Sequence, residues 1–107
     1  MKLNSKQKGA RGERELAKKL REYGHEAIRS QQYCGANRDS DLITNMEGIW
    51  IECKRVEALQ LTKAMLKAKA EATEDDIPVV MHRKNNEDWY VTINLDDFLR
   101  EIYPNWQ

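Results

Sequence analysis

Gly48-Ile49-Trp50-Ile51-Glu52-Cys53-Lys54-Arg55 reads as a β-strand with a carboxylate and an ammonium set into its otherwise apolar run. Strand side chains alternate faces, so Trp50, Glu52 and Lys54 share one face, and Ile49, Ile51 and Cys53 share the other. Just upstream, Ser40 to Thr44 is a second strand-like run. The residues between, Asn45-Met46-Glu47-Gly48, are those a tight turn prefers, which predicts a hairpin. A turn centred on Met46 and Glu47 places Asp41 directly opposite Glu52. Opposed carboxylates repel at a Cβ separation of about 5 Å unless a positive charge sits between them. A divalent cation answers that need, and Mg²⁺ takes oxygen ligands of this kind together with water and substrate phosphate. The expectation depends on register, because a one-residue slip moves Asp41 to the other face.

Working outward, the segment from about Gly9 to Tyr23 repeats Leu16, Ala17, Leu20 and Tyr23 at helical spacing, and Gly24 supplies a stop. His25 to Ser30 reads as a short strand, followed by a polar loop, Gln31 to Asp39. Downstream, Leu61 to Thr73 is rich in strong helix formers and ends at the acidic, Pro-containing break Glu74 to Pro78. Val79 to Arg83 and Trp89 to Asn94 flank Asn85-Asn86-Glu87-Asp88 as a second hairpin. Asp96 and Asp97 then favour a final helix start. The order α, β, β, β, α, β, β, α predicts an α/β fold with a mixed central sheet of about five strands flanked by helices.

The chain has 107 residues, enough for one domain spanning 1–107, and at 40% hydrophobic it can bury a core. No apolar stretch reaches the length of a membrane helix and the N-terminus lacks the hydrophobic run of a signal peptide, so a cytoplasmic location with no membrane partner is expected. Eighteen basic and eighteen acidic residues cancel overall. The cancellation is uneven: from Met1 to Arg38, ten Lys or Arg stand against four Glu, a net of +6. A basic N-terminal third suits phosphate contacts. Cys34 and Cys53 lack zinc-ligand spacing and are expected as reduced thiols, one of them in the core.

On the first helix, Glu13 lies within about 60° of Leu16, 40° of Ala17 and 20° of Leu20, so it points with the apolar stripe. A carboxylate aimed at a core has to be paired, hydrogen-bonded or associated with a metal. A helix-start Glu placed for the dipole, or one paired to a lysine, is the alternative.

Three segments together, Lys8-Gly9-Ala10-Arg11-Gly12-Glu13-Arg14-Glu15-Leu16, Ser40-Asp41-Leu42-Ile43 and Ile51-Glu52-Cys53-Lys54, resemble the PD-(D/E)XK nuclease superfamily, in particular the small archaeal-type Holliday junction resolvases and their phage relatives. The resemblance spans about Lys8 to Arg55 and implies a restriction-endonuclease-like sheet. It also implies an active site of Glu13, Asp41, Glu52 and Lys54. The proline that often precedes the motif aspartate is Ser40 here, and the loop Gln31 to Arg38 matches no resolvase pattern. The implied activity is Mg²⁺-dependent hydrolysis of DNA phosphodiesters, with Mn²⁺ able to substitute. Asp41, Glu52 and the Cys53 backbone carbonyl would hold the metal, with Glu13 completing the set or supporting it through water. The metal would polarise phosphate and activate water, while Lys54 orients that water or meets the charge developing on phosphorus.

Arg11, Arg14, Arg55, Lys63 and Lys67 are candidate phosphate contacts, the last two an i, i+4 ridge. His25 and His82 read as structural, and Trp50, Trp89 and Tyr90 as core or subunit contacts. A four-way DNA junction needs two cuts on opposed strands, and this chain has one acidic set, so a homodimer is expected, with Trp89, Tyr90, Phe98 and Tyr103 as apolar material to bury. Two other functions share these residues: a nonspecific or nicking DNase, and a non-cleaving nucleic-acid-binding module of the same fold.

Overall fold

The computed structural model describes residues 5–30 and 40–105, with side chains from residue 9 onward. The loop Gln31 to Arg38 and Cys34, both singled out by the sequence, lie outside the described residues. Helix α1 (Ser5–Glu22) starts a turn earlier than its apolar spacing predicts. It ends as expected: Gly24 takes a left-handed φ of 90°, and the Tyr23, Gly24 and His25 N–H groups turn back onto the Leu20 and Arg21 carbonyls. Leu16 and Ala17 are buried, whereas Tyr23 is exposed with the Lys19 ammonium 5.8 Å from its ring. The apolar stripe therefore ends one turn before the sequence spacing suggests.

Among the described residues five strands form, in two hydrogen-bonded sheets rather than one. β1 (Ala27–Arg29) pairs antiparallel with β2 (Leu42–Thr44) in the register Ala27 to Thr44. β3 (Ile49–Arg55) pairs parallel with β4 (Ile77–Arg83), which pairs antiparallel with β5 (Tyr90–Ile93). The expected hairpin of β2 with β3 is thus replaced by β1–β2 pairing. The reason lies in the backbone groups at each end. Asp41 O and Asn45 N–H are taken by Ser30 N–H and Glu26 O, while Gly48 O accepts from Ile77 N–H, which draws β3 to β4 from its first residue. Among the described residues one backbone–backbone bond, Asp41 N–H to Ile51 O at 3.0 Å, still joins the segment leading into β2 to β3.

Helix α2 (Leu61–Glu71) provides the crossover that a parallel β3–β4 pair requires. β4 begins two residues earlier than expected and contains Pro78. Proline is tolerated there because Ile77 N–H points to β3, so the residue-78 position faces the β5 side, where pairing starts only at Val79. Asn86, at φ 62°, makes the β4–β5 turn. Helix α3 (Leu95–Asp97) is capped by Asn94, whose side chain accepts from Asp96 and Asp97 N–H, and it continues as a π-helical turn, Phe98–Ile102.

The sheet is covered on both faces. Leu16, Ala17, Ala27, Leu42, Ile51, Val79 and Met81 form the core beneath α1, with Cys53 and Trp89 packed at its margin. Trp50 and Val80 occupy the opposite face of β3 and β4, the side that alternation assigns to the α2 contact, where Ala64 and Ala68 are also buried. The small alanines let α2 lie close to the strand that carries Glu52. Among the described residues, no helix is long and apolar enough to cross a membrane.

Candidate active site

Glu52 is 1% exposed on the face of β3 turned toward α2. A carboxylate this deep is stable as a charge only with a close cationic partner. Two lysines approach it: Lys67 Nζ, from α2, donates to Glu52 Oε2 at 2.8 Å, and Lys54 Nζ stands 3.7 Å from the same oxygen. Burial alone would lower the Lys67 ammonium's pKa, but the hydrogen bond and charge of Glu52, with Glu71 and Asp41 adding, hold it above its ordinary value.

Asp41 brackets Glu52 along the β3 edge. Its N–H donates to Ile51 O, and its Oδ2 accepts from Cys53 N–H at 2.8 Å. The expected position directly opposite Glu52 is not the one observed: the backbone bond sets Asp41 against Ile51, one residue out of that register, and its carboxylate reaches the strand at the Cys53 N–H rather than through a hairpin ladder. Because Gly48 O points to β4, alternation turns the Ile51 and Cys53 backbone groups to the other edge, which places the Cys53 carbonyl on Asp41's side. Burial pushes the Asp41 carboxyl up to about 6, with the Cys53 bond opposing and the charges of Glu52 and Glu13 reinforcing. Burial, followed by the neighbouring carboxylates of Asp41, Glu13 and Glu52, likewise pushes the Cys53 thiol far above its ordinary range, so that it stays protonated.

Glu13, on α1, accepts from Arg29 Nε at 2.7 Å. Its carboxyl is raised by burial, lowered in part by Arg29 and raised again by Glu52. The expected inward aim is present, with an arginine partner that sequence reasoning missed. Among the described residues, no three of these side chains converge to the spacing of a ready-formed metal cage. Positive charge in the cluster comes from the Lys67 and Lys54 ammonium groups at Glu52 and from Arg29 at Glu13.

The remaining candidates separate. Arg11 and Arg14 on α1 and Lys63 on α2 are exposed. Arg55 is tied to Glu15 at 3.4 Å and to Glu57 at 3.7 Å, and Glu15 also pairs with Arg83. Lys67 belongs to the carboxylate cluster, away from the simple surface ridge its spacing suggests. Gly12 permits this assembly: a Cβ there would lie 2.5 Å from Arg55 Cβ, so α1 reaches β3 only with glycine at the crossing. His82 is held by Thr92 at 2.9 Å, and burial lowers its pKa.

A buried strand Glu-x-Lys with an aspartate and a helix glutamate near it, on mixed β-structure covered by helices, is the arrangement of a PD-(D/E)XK-type nuclease fold, and comparison with known proteins places the chain in that class. The model of the family described as "Phage putative PDDEXK endonuclease" matches residues 4–106, and the chain belongs to that family. Among solved structures, the fold is similar to that of Hjc from Archaeoglobus fulgidus, a Holliday junction resolvase from an archaeal hyperthermophile. The two share 19% identity and a TM-score of 0.53, covering 78% of this chain and 73% of that one. At that identity the likeness is one of fold. No curated protein matches the chain.

Proposed function

We propose that this chain, as one nuclease domain over residues 1–107, is a divalent-metal-dependent DNA endonuclease acting on branched DNA such as a four-way junction. The observation that carries the reading is the mutual electrostatic crowding of Glu13, Asp41 and Glu52 around a buried Glu-x-Lys strand. A divalent cation entering among these acids would meet an all-oxygen donor set, which suits Mg²⁺ or Mn²⁺. The donors would be Asp41, Glu52 and the Cys53 carbonyl, with Glu13 completing or buttressing them. A divalent ion bound there supplies Lewis acidity toward phosphate and water.

The chain's own groups do the rest. Cys53 N–H fixes the Asp41 carboxylate, and Arg29 fixes Glu13. Lys54, about a third exposed at the mouth of the site, orients the attacking water or meets charge growing on the phosphate. Arg11, Arg14 and Lys63 offer phosphate contacts on the flanking helices, and Arg55, turned by its acidic partners, sits at the edge of that track. The site is expected to work in the cytoplasm on DNA.

A junction has two-fold symmetry, so a homodimer is part of the proposal. The support is the set of exposed apolar side chains on β5, α3 and the turn that follows, Tyr90, Val91, Leu95, Leu99, Ile102 and Tyr103. The test is a panel of labelled four-way junction, duplex, flap and single-stranded DNA, with Mg²⁺ or EDTA, run alongside light scattering. Paired cuts in the junction by a dimer are expected. Equal nicking of duplex by a monomer would instead identify a nicking DNase.

A further inference from the structure

Lys67 is not part of the Glu-x-Lys motif, yet it is the cation that holds Glu52. Its Nζ is at hydrogen-bond distance, 2.8 Å, whereas the motif's Lys54 at 3.7 Å is not. The two partners also differ sharply in exposure, with the Glu52 side chain 2% exposed and the Lys67 side chain 50% exposed. Lys67 thus reaches in from the surface and places its ammonium on a buried oxygen. A second acid waits one helical turn along, since Glu71 Oε1 lies 3.6 Å from the same Nζ. A long flexible stem, an exposed root and an alternative partner are what a displaceable counter-ion requires.

We propose that Lys67 is an exchangeable counter-ion of the metal site: without metal its ammonium neutralises Glu52, and a divalent cation entering at Glu52 releases it toward Glu71 and the DNA phosphate. This rests on the reading of Glu52 as a metal ligand. The reason is electrostatic. Glu52 cannot remain a buried charge without a cation, and Lys54 is too far away to serve alone. A metal ion on the same carboxylate would face a full positive charge at contact distance, so the two cations compete. Lys67 therefore stabilises the fold before metal arrives and weakens metal binding in the same measure, as linkage demands.

The test is calorimetric titration of the purified full chain with Mg²⁺ and with Ca²⁺, in the absence of DNA, for wild type, Lys67→Met, Lys67→Gln and Asp41→Asn. Thermal unfolding is recorded in EDTA and at saturating Ca²⁺. The two Lys67 variants should bind metal about tenfold more tightly than wild type, the scale of one displaced ion-pair contact. They should melt below wild type in EDTA and close to it in Ca²⁺. Unchanged or weaker metal affinity in both Lys67 variants would overturn the exchange, even with metal bound at the site. Gln serves should Met fail to fold, because it keeps a polar group beside Glu52. Asp41→Asn separates the two claims: if it binds metal as wild type does, the metal-site reading itself falls, and the exchange falls with it.

Discussion

Asp41 is held against Cys53 by a 2.8 Å hydrogen bond from the Cys53 N–H to its carboxylate, which fixes an acid from one sheet onto the strand of the other. Burial nevertheless raises the Asp41 carboxyl from its ordinary 3.8 to about 6. The folded chain therefore holds that proton more tightly than the unfolded chain does. Asp41's favourable contribution is present below about pH 4 and is lost as pH rises through 6. At about 1.4 kcal/mol per pH unit over that window, the loss is roughly 3 kcal/mol. In EDTA, Asp41→Asn should be more stable than wild type at pH 8, by roughly 2–3 kcal/mol, and close to it at about pH 3.5. Urea unfolding at the two pH values checks this, and a gap that does not change with pH would refute it.

Gly12→Ala tests the crossing of α1 and β3. Alanine would gain up to about 1 kcal/mol in helix propensity. The new Cβ, however, would stand 2.5 Å from Arg55 Cβ, an atom fixed close to the strand backbone. Overpacking of this kind costs about 1–3 kcal/mol, so the clash wins and the urea midpoint should fall. A midpoint at or above wild type would mean that the crossing is looser than described.

The arginines should divide by their partners. Arg11→Ala or Arg14→Ala, on exposed positions, should reduce the salt slope of DNA binding by about 1 each and leave stability within about 0.5 kcal/mol. Arg55→Ala should instead lower stability, because it takes one of two cations from Glu15. Fluorescence anisotropy with DNA in Ca²⁺ across a salt series, together with thermal melts, separates the two classes. An unchanged slope in both α1 variants would return them to the role of solvated charges.

Much of this was legible because the informative residues obey simple periodicities. The alternation along Ile49–Arg55 placed Glu52 and Lys54 on one face, and the helical angle of Glu13 aimed it inward. What failed was the partner of β2. Turn chemistry at Asn45 to Gly48 describes a hairpin, but β-pairing is decided by which backbone groups are already satisfied, and Glu26 and Ser30 claim the ends of β2. Arg29 and Lys67 were hidden for a related reason. Each meets its acid only through tertiary contact, across 16 and 15 residues of chain, and neither spacing carries a local signature. Ala64 and Ala68 hinted at the second contact, since small residues mark the side on which a helix approaches a strand.

Asp41, Glu52 and Lys54 are proposed to form a metal-dependent phosphodiester-cleaving site. Its most direct test is the cleavage rate of a labelled four-way junction with wild type, Asp41→Asn, Glu52→Gln and Lys54→Ala in Mg²⁺, and with wild type in EDTA, each protein first shown to be folded by circular dichroism. Wild type should cleave in Mg²⁺ and not in EDTA, and each variant should lose at least about 100-fold in rate. Undiminished cleavage by a folded Glu52→Gln protein, or by wild type in EDTA, would contradict that assignment.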